Sequence, residues 1–192
     1  MEQRLRQVLA SRGIRRIRDE SRELSAVLLP LYCKQGEYYL VFTKRTEQVK
    51  EHKGQISFPG GAYQEGDGTL LNTALRECAE EIDLVADKVE ILGRLDDTIT
   101  QTSNYIISPF VVVIPWPYEF KVNTEEIEEI IEVPISALLD KSCLRQETEI
   151  ISGETVTSYF YHYQGKVIWG ATARILNQFL DIVAEIIEDT SR

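Results

Sequence analysis

The sequence predicts an α+β fold of α/β/α layers, a mixed β-sheet sandwiched between helices. Three observations carry that prediction. Strand-like and helix-like segments interleave without strict βαβ alternation. Residues 106–114 form a continuous apolar run suited to a strand buried on both faces. The chain closes on a long amphipathic pattern, 171–188, with Ile175, Leu176, Phe179, Val183, Ile186 and Ile187 facing the core. No linker, repeat or low-complexity segment intervenes, so residues 1–192 read as one domain with a helical extension over 1–23.

Taken in order, Leu5, Val8, Leu9, Ile14 and Ile17 fall on amphipathic helical turns broken near Gly13. The many arginines nearby also fit a transit peptide, but the apolar spacing favours a docked helix. Residues 25–32 and 38–43 flank the turn Lys34-Gln35-Gly36-Glu37 and read as a β-hairpin. A strand over 55–58 is stopped by Pro59-Gly60-Gly61, and an acidic, glycine-rich loop follows. Residues 70–82 are a helix with Leu71, Ala74, Leu75, Cys78 and Ile82 on one stripe. Residues 89–95 and 106–114 are strands, and Pro115-Trp116-Pro117 ends the second. The acidic run 125–129 reads as a polar helix or loop face. Val133-Pro134 then leads a short strand into a helical turn. Residues 148–151 and 156–163 form a second hairpin around Ser152-Gly153-Glu154, with His162 an ordinary strand residue.

Composition bounds the function. With 21 basic and 31 acidic side chains, a formal charge of −10, the surface repels nucleic acid on average. No apolar stretch approaches the ~20 residues of a membrane span. Cys33, Cys78 and Cys143 are widely spaced and odd in number, which suits reduced cysteines in a cytoplasmic protein rather than disulfides or zinc.

Chemistry concentrates in Arg76-Glu77-Cys78-Ala79-Glu80-Glu81. Helical spacing projects Glu77, Glu80 and Glu81 to one side, while Cys78 and Ile82 face the core. Converging carboxylates repel one another unless a hard divalent cation with a preference for oxygen relieves them. Taken alone, three glutamates are more often a solvated face. The preceding Phe58-Pro59-Gly60-Gly61 changes that balance, because glycines let backbone carbonyls approach a metal or substrate.

GGAYQEGDGTLLNTALRECAEEIDL resembles the signature of the Nudix hydrolases, which cleave a nucleoside diphosphate linked to another moiety. Gly61 stands fifteen residues before Arg76, one more than the general pattern has. The upstream VFTKRTEQVKEHKGQISFPGG is similar to the coenzyme A pyrophosphatase branch, which tends to carry the extra residue. Ser108-Pro109-Phe110, the stretch 123–134 and Ile168-Trp169-Gly170-Ala171-Thr172-Ala173 extend the likeness over residues 24–180. Two positions depart from it. Asp83 replaces the glycine closing the signature helix, and Lys50 replaces a more usual arginine. Aspartate tolerates the left-handed cap better than most residues. Lysine offers phosphate a point charge rather than a bidentate fork.

The resemblance implies Mg2+ or Mn2+ bound by Glu77 and Glu81, with Glu80 a further ligand or a base. Glu80 and Glu126 are the candidate general bases. Arg76 would pair with a loop carboxylate, Asp67 or else Glu65 being the first acidic position of the signature, and so orient the glutamates. Gly60 and Gly61 would approach the substrate, Gly60 adding a carbonyl. Arg45 and Lys50 would hold its terminal phosphate, and His52 would contact phosphate or hydrogen-bond a loop. Trp169 and Tyr161 read as core aromatics, a base-stacking surface being the alternative. The implied reaction hydrolyses coenzyme A or acyl-coenzyme A to adenosine 3′,5′-bisphosphate and (acyl-)4′-phosphopantetheine. Alternatives are another nucleoside diphosphate derivative and a non-catalytic nucleotide-binding domain; intact Glu77, Glu80 and Glu81 count against the last. A homodimer is compatible with the resemblance.

Overall fold

Alternating apolar residues give the central strand two buried faces, and the helices divide between them. The structure, a computed structural model, describes residues 1–48, 53–151 and 154–190. Strand β1 (Glu23–Lys34) turns back into β2 (Glu37–Arg45), with Leu31 opposite Leu40. On its other edge β1 runs parallel to β7 (Tyr105–Val113), from Glu23 beside Tyr105 to Leu31 beside Val113. The short β3 (Ile56–Ser57) joins β2, and β4 (Gly60–Ala62) pairs with the first half of β1. Strands β5 (Glu90–Arg94) and β6 (Thr98–Ile99) lie along β7. Strand β8 (Ile127–Pro134) lies along β2. A second sheet has β10 (Glu154–Tyr163) between β9 (Leu144–Ile151) and β11 (Lys166–Ile168), all antiparallel.

Successive strand residues point to opposite faces. Ala26, Leu28, Val41 and Val112 therefore pack with Ala74, Cys78 and Ile82 of helix α2 (Leu70–Ile82). Leu29, Leu31, Phe42 and Val111 share the opposite core with Leu5 and Leu9 of α1 (Glu2–Ser11) and Ile175, Leu176 and Phe179 of α4 (Gly170–Thr190). The short α3 (Ile135–Leu139) adds Ile135 and Leu138 to the same side. This is the mixed sheet between helices that the sequence predicts. No helix among the described residues is long and apolar enough to cross a membrane.

Two expectations are corrected. The N-terminal helix stops at Ser11 rather than spanning the first 23 residues. Beyond it the chain is docked in irregular form by two adjacent aspartates. Asp96 accepts from Arg12 Nη2 at 2.9 Å and the Arg15 amide at 3.0 Å, and Asp97 accepts from the Ile17 amide at 2.9 Å. The acidic run 125–129 leads into strand β8, where Ile127, Ile131 and Val133 are buried while Glu128 stays exposed. Strands β4, β6 and β11, each two or three residues long, lack any pattern that sequence could display. The second hairpin stands as expected, and its turn at Ser152 and Gly153 lies outside the described residues.

Helix α2 starts at Thr69, whose hydroxyl accepts from the Asn72 amide at 3.1 Å, an N-cap that satisfies an orphan donor. It ends on Asp83 in the left-handed region, φ 56° and ψ 38°. A carboxylate beside the negative end of the helix dipole, on a backbone that favours glycine, is destabilising twice over. The exposed ion pair with Lys121 at 3.0 Å offsets little of this. Asp83→Gly is expected to raise stability by about 0.5–1 kcal/mol, read as a higher midpoint in thermal unfolding. A lower midpoint would mean the aspartate is required there.

Candidate active site

Two glycines decide where the acidic helix meets the sheet. Gly60 has φ 145°, and a Cβ there would lie 2.2 Å from the carbonyl oxygen of Ala26 and 2.6 Å from Cα of Val27. A Cβ on Gly61 would lie 2.4 Å from the carboxyl carbon of Glu77. The first glycine thus lets β4 close on β1, and the second lets the Glu77 carboxyl rest on the strand backbone. The Gly60 amide donates to Glu81 Oε2 at 3.1 Å, so this glycine meets the acidic helix through its N–H.

The three glutamates do not share one environment. Glu81 is 3% exposed, Glu77 is partly buried, and Glu80 is largely in solvent. Burial pushes the Glu81 carboxyl up to about 8, with the Gly60 amide and Arg45 opposing and the charges of Glu77 and Glu126 adding to the rise. Burial also raises Glu77, against the hydrogen bond from Arg76. The Arg45 guanidinium is only loosely engaged. Its Nη1 is 3.6 Å from Glu81 Oε1, its Nη2 is 3.9 Å from Glu126 Oε2, and its buried Nε has no hydrogen-bond partner among the described residues. A buried donor without a partner costs stability, and a ligand oxygen would relieve that cost.

Arg76 pairs with Asp67 rather than Glu65. Nε and Nη2 reach the two Asp67 carboxylate oxygens at 2.7 and 3.1 Å. Its Nη1 bridges Glu77 at 2.8 Å and Glu80 at 3.2 Å, and Nη2 also donates to the Ala62 carbonyl. Asp67 further accepts from Thr73 Oγ1 and the Gln64 amide. These donors, Arg76 first, hold Asp67 well below the usual carboxylate range. Loop, strand and helix are tied together through this one guanidinium.

Arg45, Gly60, Gly61, Glu77 and Glu126 line one cleft of about 380 Å³, and Trp169 and Arg174 line it as well. Tyr161 is buried, as expected of a core aromatic, and donates to Asn177 Oδ1 at 3.0 Å. Trp169 is not a core residue: it is 46% exposed. Its sequence neighbour Gly170, where α4 begins, lines the same cleft. Lys50 and His52 lie outside the described residues.

The donor set fits a hard divalent cation. It is all oxygen, and Glu81 is a buried carboxyl whose ionised form needs compensating charge. Among the described residues, no three acidic, cysteine or histidine side chains close around a single point. Arg76 holds Glu77 and Glu80, while Arg45 and the Gly60 amide engage Glu81, so these contacts take up carboxylate oxygens that a cation would share.

Comparison with known proteins bears on the family and the fold. The family model described as the NUDIX domain matches residues 22–156. An uncharacterized Nudix hydrolase, NudL, of Photorhabdus laumondii is 36% identical over 164 residues, covering 85% of this chain and 86% of that one. A NudL of Yersinia pestis is 33% identical over 160 residues, 83% of this chain and 79% of its own. Among solved structures, a MutT/nudix family protein from Enterococcus faecalis superposes with a TM-score of 0.56 at 13% identity, covering 93% of this chain and 68% of that one. The NUDIX domain of Shewanella oneidensis NrtR, crystallised with ADP ribose, gives 0.51 at 15% identity over 63% of this chain and 78% of its own.

Proposed function

The chain belongs to the Nudix hydrolases, pyrophosphohydrolases of nucleoside diphosphate derivatives, and from that premise we propose that it cleaves coenzyme A or acyl-coenzyme A. The products are adenosine 3′,5′-bisphosphate and (acyl-)4′-phosphopantetheine. The observation that carries the substrate is the stretch 43–61 leading into the signature. Its Arg45 stands in the cleft beside Glu81 and Glu126, its Nε without a hydrogen-bond partner among the described residues. A guanidinium so placed suits the substrate's diphosphate oxygens, which accept planar, paired donors.

In this proposal Glu77 and Glu81 hold the divalent cation, Mg2+ or Mn2+, with Glu80 a further ligand at the rim. When bound, the cation supplies charge neutralisation at the diphosphate and a water of lowered pKa. Glu126 lines the cleft and removes the proton of the attacking water, with Glu80 the alternative base. Arg45 orients the phosphoryl group under attack. Arg76 touches no reacting atom; it positions Glu77 and Glu80 from Asp67. Water adds to one phosphorus, the bridging P–O bond breaks, and the leaving phosphate departs with the bridging oxygen.

Turnover assayed with Mg2+ and with Mn2+ across coenzyme A, an ADP-sugar, NADH and nucleoside triphosphates tests this. Coenzyme A is expected to give the highest kcat/KM. If it is untouched while another of these is hydrolysed, the substrate assignment fails and the family chemistry stands.

A further inference from the structure

Glu126, the base of the proposed reaction, is poorly held by its own side chain. The carboxylate is 47% exposed, and Arg45 Nη2 lies 3.9 Å away, beyond hydrogen-bonding distance. Its place is therefore set by the backbone that carries it, a tight loop folded over Asn123. The backbone amides of Glu126 and Ile127 donate to the Asn123 carbonyl at 3.1 and 2.8 Å. The Glu125 amide donates to Asn123 Oδ1 at 3.2 Å. At one end the backbone amide of Asn123 donates to the carbonyl of Glu81 at 2.9 Å, which ties the loop to the last turn of α2.

The other end is clasped by Thr46, the residue after Arg45 and buried in the fold. Its amide donates to the Glu126 carbonyl at 2.9 Å, and its hydroxyl donates to the Glu125 carbonyl at 3.2 Å. A slip in register makes this clasp possible. Lys44 lies opposite Glu129 but Arg45 lies opposite Ile127, so β8 carries Glu128 as an extra residue. Lys44 pins that extra residue, its Nζ 2.8 Å from Glu128 Oε1. In an unbroken ladder Thr46 would face Ile127, and Glu126 would fall opposite Glu47, past the end of β2. Arg45 and Thr46 thus have consecutive tasks. The first faces Glu81 and Glu126, and the second fixes the chain that presents Glu126.

We propose that Thr46 is a positioning residue for the reaction: its hydroxyl, by clasping the Glu125 carbonyl, sets the Glu126 carboxylate relative to Arg45 and Glu81. The inference rests on the reading of Glu126 as the general base, and it adds the group that holds that base in place. Thr46 touches no reacting atom. Without its hydroxyl the loop shifts while Arg45 and the acidic helix stay, so substrate binds as before and proton removal slows. A displacement of about 1 Å in a reacting group costs on the order of 100-fold in rate.

Thr46→Val keeps the shape of the side chain and removes the hydroxyl, and Thr46→Ser restores it. Both are assayed in the full chain with Mg2+ and whichever of the substrates above is turned over fastest. Thr46→Val is expected to lower kcat at least ~10-fold with KM unchanged, and Thr46→Ser to stay within ~2-fold of the unsubstituted protein. Glu126→Gln lowers kcat further, and Thr46→Val added to it causes no additional loss, because the two act as one unit. Amide hydrogen exchange is read in parallel. Thr46→Val is expected to speed exchange at Glu125, Glu126 and Ile127 about 5-fold, the worth of one hydrogen bond, and to leave Cys78 and Ile82 in α2 unchanged. Unchanged exchange in the loop overturns the clasp whatever the rates do. So does a full kcat in Thr46→Val where Glu126→Gln is impaired, or an undiminished loss when Thr46→Val is added to Glu126→Gln. Full kcat in Glu126→Gln would sink the base assignment alone, and exchange in the loop then decides the clasp.

Discussion

Replacing Glu77 or Glu81 by glutamine is expected to lower kcat/KM by on the order of 10³-fold while leaving the fold intact. Glutamine keeps the size and one oxygen of the carboxylate but removes the charge that a divalent cation requires. Neither change opens a cavity. At Glu77 the amide still rests on Gly61, and at Glu81 an amide oxygen still accepts from the Gly60 N–H. Glu80→Gln should cost far less if Glu80 only completes the rim, because its side chain is 59% exposed. A comparable loss there would instead make it the base, and Glu126→Gln measured in parallel separates the two carboxylates. Unchanged turnover in both Glu77→Gln and Glu81→Gln would remove the metal role altogether.

The second large effect is on stability in the absence of divalent cation. Folded Glu81 keeps its proton until about pH 8, whereas an unfolded glutamate releases it near 4.5. Between those values the folded state holds more protons, so its relative stability is intact below pH 4.5 and falls as the pH rises through 8. Glu81→Gln removes the ionisation. With chelator present, the variant and the unsubstituted protein should be nearly equal in stability at pH 5. At pH 9 the variant should be more stable, by on the order of 3 kcal/mol. Added Mg2+ or Mn2+ should then stabilise the unsubstituted protein at pH 9 and have little effect on the variant. Thermal unfolding at the two pH values decides it. A stability difference that does not change with pH would show that the Gly60 amide and Arg45 fully compensate the buried carboxylate.

The parts legible in the sequence are those with local causes. Helix α2 begins and ends where its cap and its apolar stripe place it, at Leu70 and Ile82. Arg76 and Asp67 stand nine residues apart across one loop, close enough for the pair to be anticipated. What escaped depends on distant partners. Residues 12–18 carry a helical spacing, yet Asp96 and Asp97 draw the backbone amides of Arg15 and Ile17 away from helical bonding. The charges of 125–129 conceal a strand whose inward residues, Ile127, Ile131 and Val133, are spaced by four and then two. Helical periodicity places Glu81 beside Glu77 but says nothing of the sheet that covers it. The contrast between a buried and an exposed glutamate is a tertiary property. Trp169 and Arg174 enter the cleft for the same reason.

The parallel pairing of β1 with β7 has a kinetic consequence. Each residue of β1 meets one about 80 positions downstream, so the chain must close a long loop before that contact can repay its entropy. The cleft straddles this seam, with Gly60 and Gly61 on one side and Tyr105 and Ile107 on the other. A partly folded chain can hold helix α2 and the first hairpin and still have no cleft. Ligand capture should therefore appear late in refolding, in step with the final cooperative phase.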